Sequence, residues 1–326
     1  MRIICPICQS DRSEISAREN LPPKYKIFYC EKCKGEFSWP MKSFFNYEGM
    51  EVEREFKNIA RESLRREFIH AFAVTFLDVI KNPGKSVLDV GAGSGVFLSY
   101  ANNLGFEVFG IDTSENLIKT LNKNCPFVKA HFTPGENFDL PEVWPKKYDV
   151  ISALDVLEHS EDPVLTVKNI YNYLEDNGYF IFTVPNRDRY YYKTAKIVND
   201  FVPAKSGGDN PPYHLTFWRK KTVKTFLENS GFKNYCILKG GLLWRKNLLI
   251  KNKYSPFLSG FMNVLYKNSS RIPAPIIRFL ENYGTHLLVI AKKGGGDLSG
   301  LGKNISRKLY KKDIPFFQEV KIVYQS

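Results

Sequence analysis

Residues 86–97, SVLDVGAGSGVF, restrict the fold more than any other stretch of the chain. SVLDV has the apolar density of a buried strand, and GVFLSYANNLG has the pattern of a helix that Gly105 ends. Between them stand Gly91, Gly93 and Gly95. Such a turn lets the backbone reverse tightly and lets a ligand approach the chain closely. Asp89 lies two residues before the first glycine, where a carboxylate repels a pyrophosphate and attracts a ligand bearing an amino group. Asp112 ends the next apolar run, 19 residues after Gly93, at the place where a carboxylate accepts hydrogen bonds from both ribose hydroxyls. A nucleoside with a cationic amino-acid tail is S-adenosylmethionine (SAM), which the residues therefore imply as cofactor.

Around this loop, short apolar runs alternate with helical patterns. EVFGIDTS, PFVKAHF, YDVISAL, YFIFTVP and NYCILKGG read as further strands, and THLLVIAKK at 285–293 is expected to close the sheet. Helices are expected over ENLIKTLNKN, over DPVLTVKNIYNYLEDNG, and over KKTVKTFLENSGF. In the second of these, Asp162 is the N-cap, Pro163 the first residue and Gly178 the stop. Repeated βα units predict an α/β fold, a Rossmann-like, mainly parallel sheet with helices on both faces. Residues 51–81 have apolar side chains at helical spacing, ended by NPGK.

Ahead of all this, CPIC and CEKC place Cys5, Cys8, Cys30 and Cys33 in two C-x-x-C knuckles 21 residues apart. Four thiolates so spaced can close a tetrahedron around a structural Zn²⁺. The segment is too short for an apolar core of its own, so metal binding is expected to stabilise it. The organisation predicted is a zinc ribbon at 1–40, a helical linker at 41–83 and the main domain at 84–293. An insertion at 242–284 interrupts the main domain, and a basic tail follows at 294–326.

The formal net charge is +13, and it is local: residues 240–293 hold nine Lys or Arg against one acid, Glu281. That points to one surface meeting an anion: RNA, a phospholipid surface or a phosphorylated substrate. SPFLSGFMNVLY, within the insertion, reads either as a helical cap over the site or as an apolar face touching a membrane. The start MRIICPIC has no signal-like apolar run, and no stretch is long enough to span a bilayer. The expected location is cytoplasmic, with peripheral contact to the inner face of the membrane as an option.

The motifs VLDVGAGSGVF, GIDTS, YDVISALDVLEH, LEDNGYFIFTVPN and YHLTFWRKKTVKTFLENSGF together resemble the class I SAM-dependent methyltransferases over residues 86–293. The resemblance implies that Gly91, Ala92, Gly93 and Gly95 approach the methionine part of SAM and that Asp89 organises their loop. It implies that Asp112, with Thr113 beside it, holds the ribose, and that Leu154 and Asp155 line the cofactor near its sulfonium. The family's acidic adenine contact has no clear counterpart in HFTPGENFDLP, where Glu136, Asn137 and Phe138 are the candidates. A bacterial subgroup with an N-terminal four-cysteine ribbon, followed by an aromatic and a proline as in EFSWP, modifies sugars, lipid-linked saccharides or secondary metabolites.

Methyl transfer to oxygen or carbon also needs a base, and His159 and His214 stand where acceptors bind in this fold. His131 and His286 read as structural. The loop after YFIFTVP, with Tyr190, Tyr191 and Tyr192, reads as a substrate lid. The ubiquinone-biosynthesis O-methyltransferases and some small-RNA 2′-O-methyltransferases carry E-x-x-E-H metal ligands. DVLEH resembles this with Asp155, Glu158 and His159, which share one face if the segment is helical. Three functions stay open: methylation of a small-molecule or lipid-linked acceptor, RNA methylation, and a non-catalytic zinc-ribbon scaffold.

Overall fold

In a computed structural model, the described residues are 3–11, 15–20, 25–42, 69–80, 84–188, 211–240 and 284–310. The proposed lid with its tyrosines, the insertion proper, residues 51–68 of the expected long helix and the tail beyond 310 lie outside them.

The central sheet has seven strands: β4 (Ser86–Val90), β5 (Glu107–Asp112), β6 (Lys129–Phe132), β7 (Tyr148–Leu154), β8 (Leu174–Pro185), β10 (Asn234–Gly240) and β11 (His286–Lys292), in the order β10-β11-β8-β7-β4-β5-β6. From β6 to β8 every neighbouring pair is parallel, whereas β11 runs antiparallel to both β8 and β10. The last strand among the described residues therefore does not close the sheet but inserts between β8 and β10. Its residues His286–Ala291 are buried, whereas β10 is half-exposed along most of its length and forms the edge. A strand with continuous apolar burial is a central strand.

Side-chain alternation shows why both faces need helices. Leu88, Val90, Ile151, Ala153, Phe180, Phe182 and Val184 face one core, which α4 (Pro163–Tyr173) and α5 (Lys220–Asn229) cover. Val87, Val108, Val150, Ile181, Leu288 and Ile290 face the other, covered by the helix α1 (69–80), α2 (Val96–Asn103), α3 (Glu115–Asn124) and α6 (Ser299–Tyr310). Asp162 caps α4 through Leu165 N, as its sequence predicts, but the helix ends at Tyr173 rather than at Gly178. Leu174 already pairs with Tyr148, and a bulge with left-handed Asn177 follows. A Cβ on Gly178 would lie 2.9 Å from Glu175 O, so the glycine serves the bulge rather than a helix end. No helix among the described residues is long and apolar enough to cross a membrane.

The four-cysteine segment forms β1 (Ile15–Asn20), β2 (Lys26–Cys30) and β3 (Glu36–Trp39). These antiparallel strands continue into β9 (Thr216–Phe217), so the second sheet, β1-β2-β3-β9, joins the N-terminal segment to a strand that follows β8 in the chain. Cys5, Ile7, Cys8, Cys30, Cys33 and Phe37 are buried in the same core as Trp218, Val223 and Phe226. The expectation that this segment has no apolar core is corrected in one respect: it borrows one from α5. Burying side chains such as Phe37 and Trp218 contributes roughly 1.5–3 kcal/mol each.

Candidate active site

The turn after β4 is shaped by left-handed glycines. Gly91 has φ 77, and a Cβ there would lie 2.6 Å from Val156 Cγ2. Gly91 N and Ala92 N donate to Ile111 O at 2.8 and 2.9 Å, which ties the loop to the end of β5. Asp112 completes the tie: Oδ2 accepts from Gly93 N and Oδ1 from Ser114 N, both at 2.9 Å. A carboxylate offers about four acceptor positions, so two backbone donors leave capacity for a pair of ribose hydroxyls. The residues present thus fit a bound nucleoside. Thr113 is exposed beside Asp112 at the strand end.

Asp89 is placed differently from a residue that displays its charge. It is 3% exposed and accepts from Ser152 Oγ at 2.7 Å. Burial, only partly offset by that hydrogen bond, pushes its carboxyl up to about 8. It braces the strand beneath the loop largely as a neutral group at pH 7.

Beyond β7, half-buried Leu154 is followed by Asp155 in the left-handed region, φ 55. Asp155 N donates to Thr183 O and to Thr183 Oγ1, and the Thr183 hydroxyl donates to Asp155 Oδ1 at 2.7 Å. On its other side, Asp155 Oδ2 lies 3.5 Å from His286 Nε2. His286, read from sequence as structural, is therefore a partner of a residue expected to line the cofactor.

The left-handed Asp155 breaks the helical progression on which Asp155, Glu158 and His159 would share a face. The potential metal-ligating group formed here is Glu158, His159 and His214, whose ligand atoms lie within 4.8 Å of one another. His159 Nδ1 lies 2.6 Å from Tyr213 O. A carbonyl only accepts, so Nδ1 carries the proton and Nε2 is the basic nitrogen of the neutral ring. That Nε2 is 3.9 Å from Glu158 Oε1, and the His159 and His214 ring centroids are 4.8 Å apart. Glu158 is 1% exposed, whereas the His159 side chain is 30% exposed. The two chain segments are stitched together by backbone: Leu215 N and Thr216 N both donate to Glu158 O. Sequence spacing could not show His214 meeting His159, because 55 positions separate them.

Among the adenine candidates, Asn137 Oδ1 accepts from Asn169 Nδ2 at 3.4 Å. Glu136 Oε1 accepts from Glu161 N and Ser160 Oγ, and Phe138 stacks on Tyr173. The four knuckle cysteines are buried and free of disulfides. Cys5 and Cys33 sulfurs lie 3.8 Å apart, and Cys8 and Cys30 sulfurs 3.6 Å apart. A tetrahedron with Zn–S bonds of about 2.3 Å has edges of about 3.8 Å, so the set fits a metal of that size.

Residues 50–237 match the family described as "Methyltransferase domain". A ubiquinone biosynthesis O-methyltransferase of Pseudomonas savastanoi pv. phaseolicola is 30% identical over 121 residues, 36% of this chain and 52% of that protein. The protein of the same name from Nitrosospira multiformis is 31% identical over 121 residues, 36% of this chain and 51% of its own length. The chain thus spans about half the length of the curated relatives it matches. Among solved structures, a chain of the complex between the Haloferax volcanii Trm112 methyltransferase activator and a methyltransferase aligns over 74% of this chain and 95% of its own. It does so with a TM-score of 0.51 at 14% identity, which shows the fold alone. The family match covers more than half of the chain, on the sheet order and glycine loop described above, and the protein belongs to the class I SAM-dependent methyltransferases.

Proposed function

We propose that the enzyme methylates a hydroxyl group of a small-molecule acceptor, with His159 as the general base. The observation that carries this reading is the Nδ1 hydrogen bond to Tyr213 O, which leaves Nε2 basic in a half-exposed ring on the rim of the sheet. The names of the relatives support oxygen as the methylated atom. Bound SAM supplies an activated methyl group on a good leaving group. The acceptor oxygen attacks the methyl carbon, the S–CH₃ bonding pair returns to sulfur, and the hydroxyl proton passes to His159 Nε2. Alignment of donor and acceptor by the loop, Asp112 and the 155–159 turn would lower the barrier by about 7–11 kcal/mol.

A second reading uses the same residues. Glu158, His159 and His214 would hold a divalent cation that polarises the hydroxyl. Cys5, Cys8, Cys30 and Cys33 would hold structural zinc, which the tetrahedral sulfur spacing supports.

The test supplies methyl-labelled SAM and a metabolite extract, and follows the label by mass spectrometry. An O-methylated small molecule is expected, with turnover reduced at least a hundredfold in His159→Gln and substrate-analogue binding kept. Label in RNA would overturn the acceptor class. Activity lost on mild chelation that leaves the cysteine-bound metal in place, and restored by Mg²⁺, would favour the cation over His159 as general base.

A further inference from the structure

The acceptor side of the site is not made by the methyltransferase sheet alone. The segment that brings His214 to His159 also contains β9, and β9 is a strand of the four-cysteine sheet. One side of this segment faces the turn after β7: Leu215 N and Thr216 N donate to Glu158 O, and Thr216 Oγ1 donates to Leu157 O. Its other side faces the cysteine segment: Ser38 N donates to Leu215 O at 2.8 Å, and Phe37 and Glu36 pair with Thr216 and Phe217. Residues 215–217 are thus a narrow strip held between the cysteine knuckles and the Glu158–His159 turn.

Glu36 locks the strip from the cysteine side. It is 7% exposed, three residues past Cys33, and it takes two guanidiniums. Arg187 donates to its Oε2 at 2.7 Å and Arg219 to its Oε1 at 2.6 Å. Arg187 immediately precedes Asp188, where the described part of the loop after β8 ends, and Arg187 N donates to Trp218 O. Arg219 is the N-cap of α5 and also donates to Lys34 O and Asp188 Oδ1. One carboxylate therefore joins the second cysteine knuckle, the loop leaving β8 and the start of α5. Burial pushes its carboxyl up, and the two guanidiniums outweigh burial and hold it below the ordinary range. The packing around it is tight: a Cβ on neighbouring Gly35 would lie 2.9 Å from both Ile7 Cδ1 and Thr222 Cγ2.

We propose that the four-cysteine segment is a wall of the acceptor site, and that Glu36 is the positioning residue that holds β9, and with it His214 and the His159 ring, in register. This rests on the reading of His159 and His214 as the acceptor side. The donor loop and Asp112 are reached by none of these contacts, so Glu36 governs one half of the site and not the other.

The test uses the full-length protein with ¹⁵N-labelled histidine, which gives five imidazoles to follow. In Glu36→Gln the His159 and His214 signals should shift or broaden, whereas His131, on the far edge strand β6, should stay in place. Affinity for S-adenosylhomocysteine, measured by calorimetry, should stay within about twofold. Unmoved His159 and His214 signals would overturn the proposal. So would a tenfold or greater loss of S-adenosylhomocysteine affinity, because Glu36 would then support the whole fold. Should Glu36→Gln fail to fold, Arg219→Gln breaks the same junction from the other side and should give the same pattern. Failure of both to fold would also overturn it. If the wild-type protein does not bind S-adenosylhomocysteine, the methyl-transfer reading falls, while the histidine signals still report the junction.

Discussion

Replacing Asp89 by Asn tests the buried carboxyl beneath the glycine loop through its effect on stability. The side chain is 3% exposed and burial pushes its carboxyl from the model-peptide value of 3.8 to about 8. Between these limits the folded chain holds a proton that the unfolded chain has released. Folding stability therefore falls as pH rises through that window, by about 1.4 kcal/mol per unit of pH. Asn has the same shape, accepts the Ser152 hydroxyl equally well and does not titrate. From about pH 5 to about pH 7, wild type should thus lose about 3 kcal/mol relative to Asp89→Asn. With a urea dependence of about 3 kcal/mol per molar, the gap between the unfolding midpoints should change by about 1 M. Urea unfolding followed by tryptophan fluorescence at the two pH values measures it. Midpoints that move in parallel would mean that Asp89 is ionised in the folded chain, and would refute its assignment as a neutral brace.

Two further outcomes are expected on either side of the molecule. Asp112→Ala leaves Gly93 N and Ser114 N without their acceptor and removes the carboxylate proposed to hold the ribose, so affinity for S-adenosylhomocysteine should fall roughly 10- to 100-fold, read by calorimetry. Cys30→Ser should lower the bound zinc per chain and, because the knuckles share a core with Trp218 and Phe226, should quench or shift the tryptophan emission as well. A variant that loses zinc with unchanged emission would show that the knuckles fold apart from α5.

That Asp112 stands beside the glycine loop could be read in the sequence because the arrangement is local. Gly91, Gly93, Gly95 and Asp112 fall within one βαβ unit, where strand direction and the right-handed crossover place loop and acid side by side. The proposed acceptor half is assembled from residues far apart. His159 was recognisable as a candidate, but its tautomer depends on Tyr213 O, and its neighbour His214 arrives from beyond the loop after β8. His286, read as structural, meets Asp155 only because β11 inserts beside β8 instead of closing the sheet.

The same division holds for the molecule as a whole. Apolar periodicity and turn chemistry act between near neighbours, so the sequence by itself determined the α/β class, the seven strands, the cap of α4 and the two cysteine knuckles. Only tertiary structure decided that a two-residue strand, Thr216–Phe217, joins the cysteine segment to the methyltransferase domain, and that a buried Glu36 is shared by Arg187 and Arg219. A pairing so short leaves no periodic trace, and a charge cluster drawn from positions 36, 187 and 219 exists only once the chain has folded.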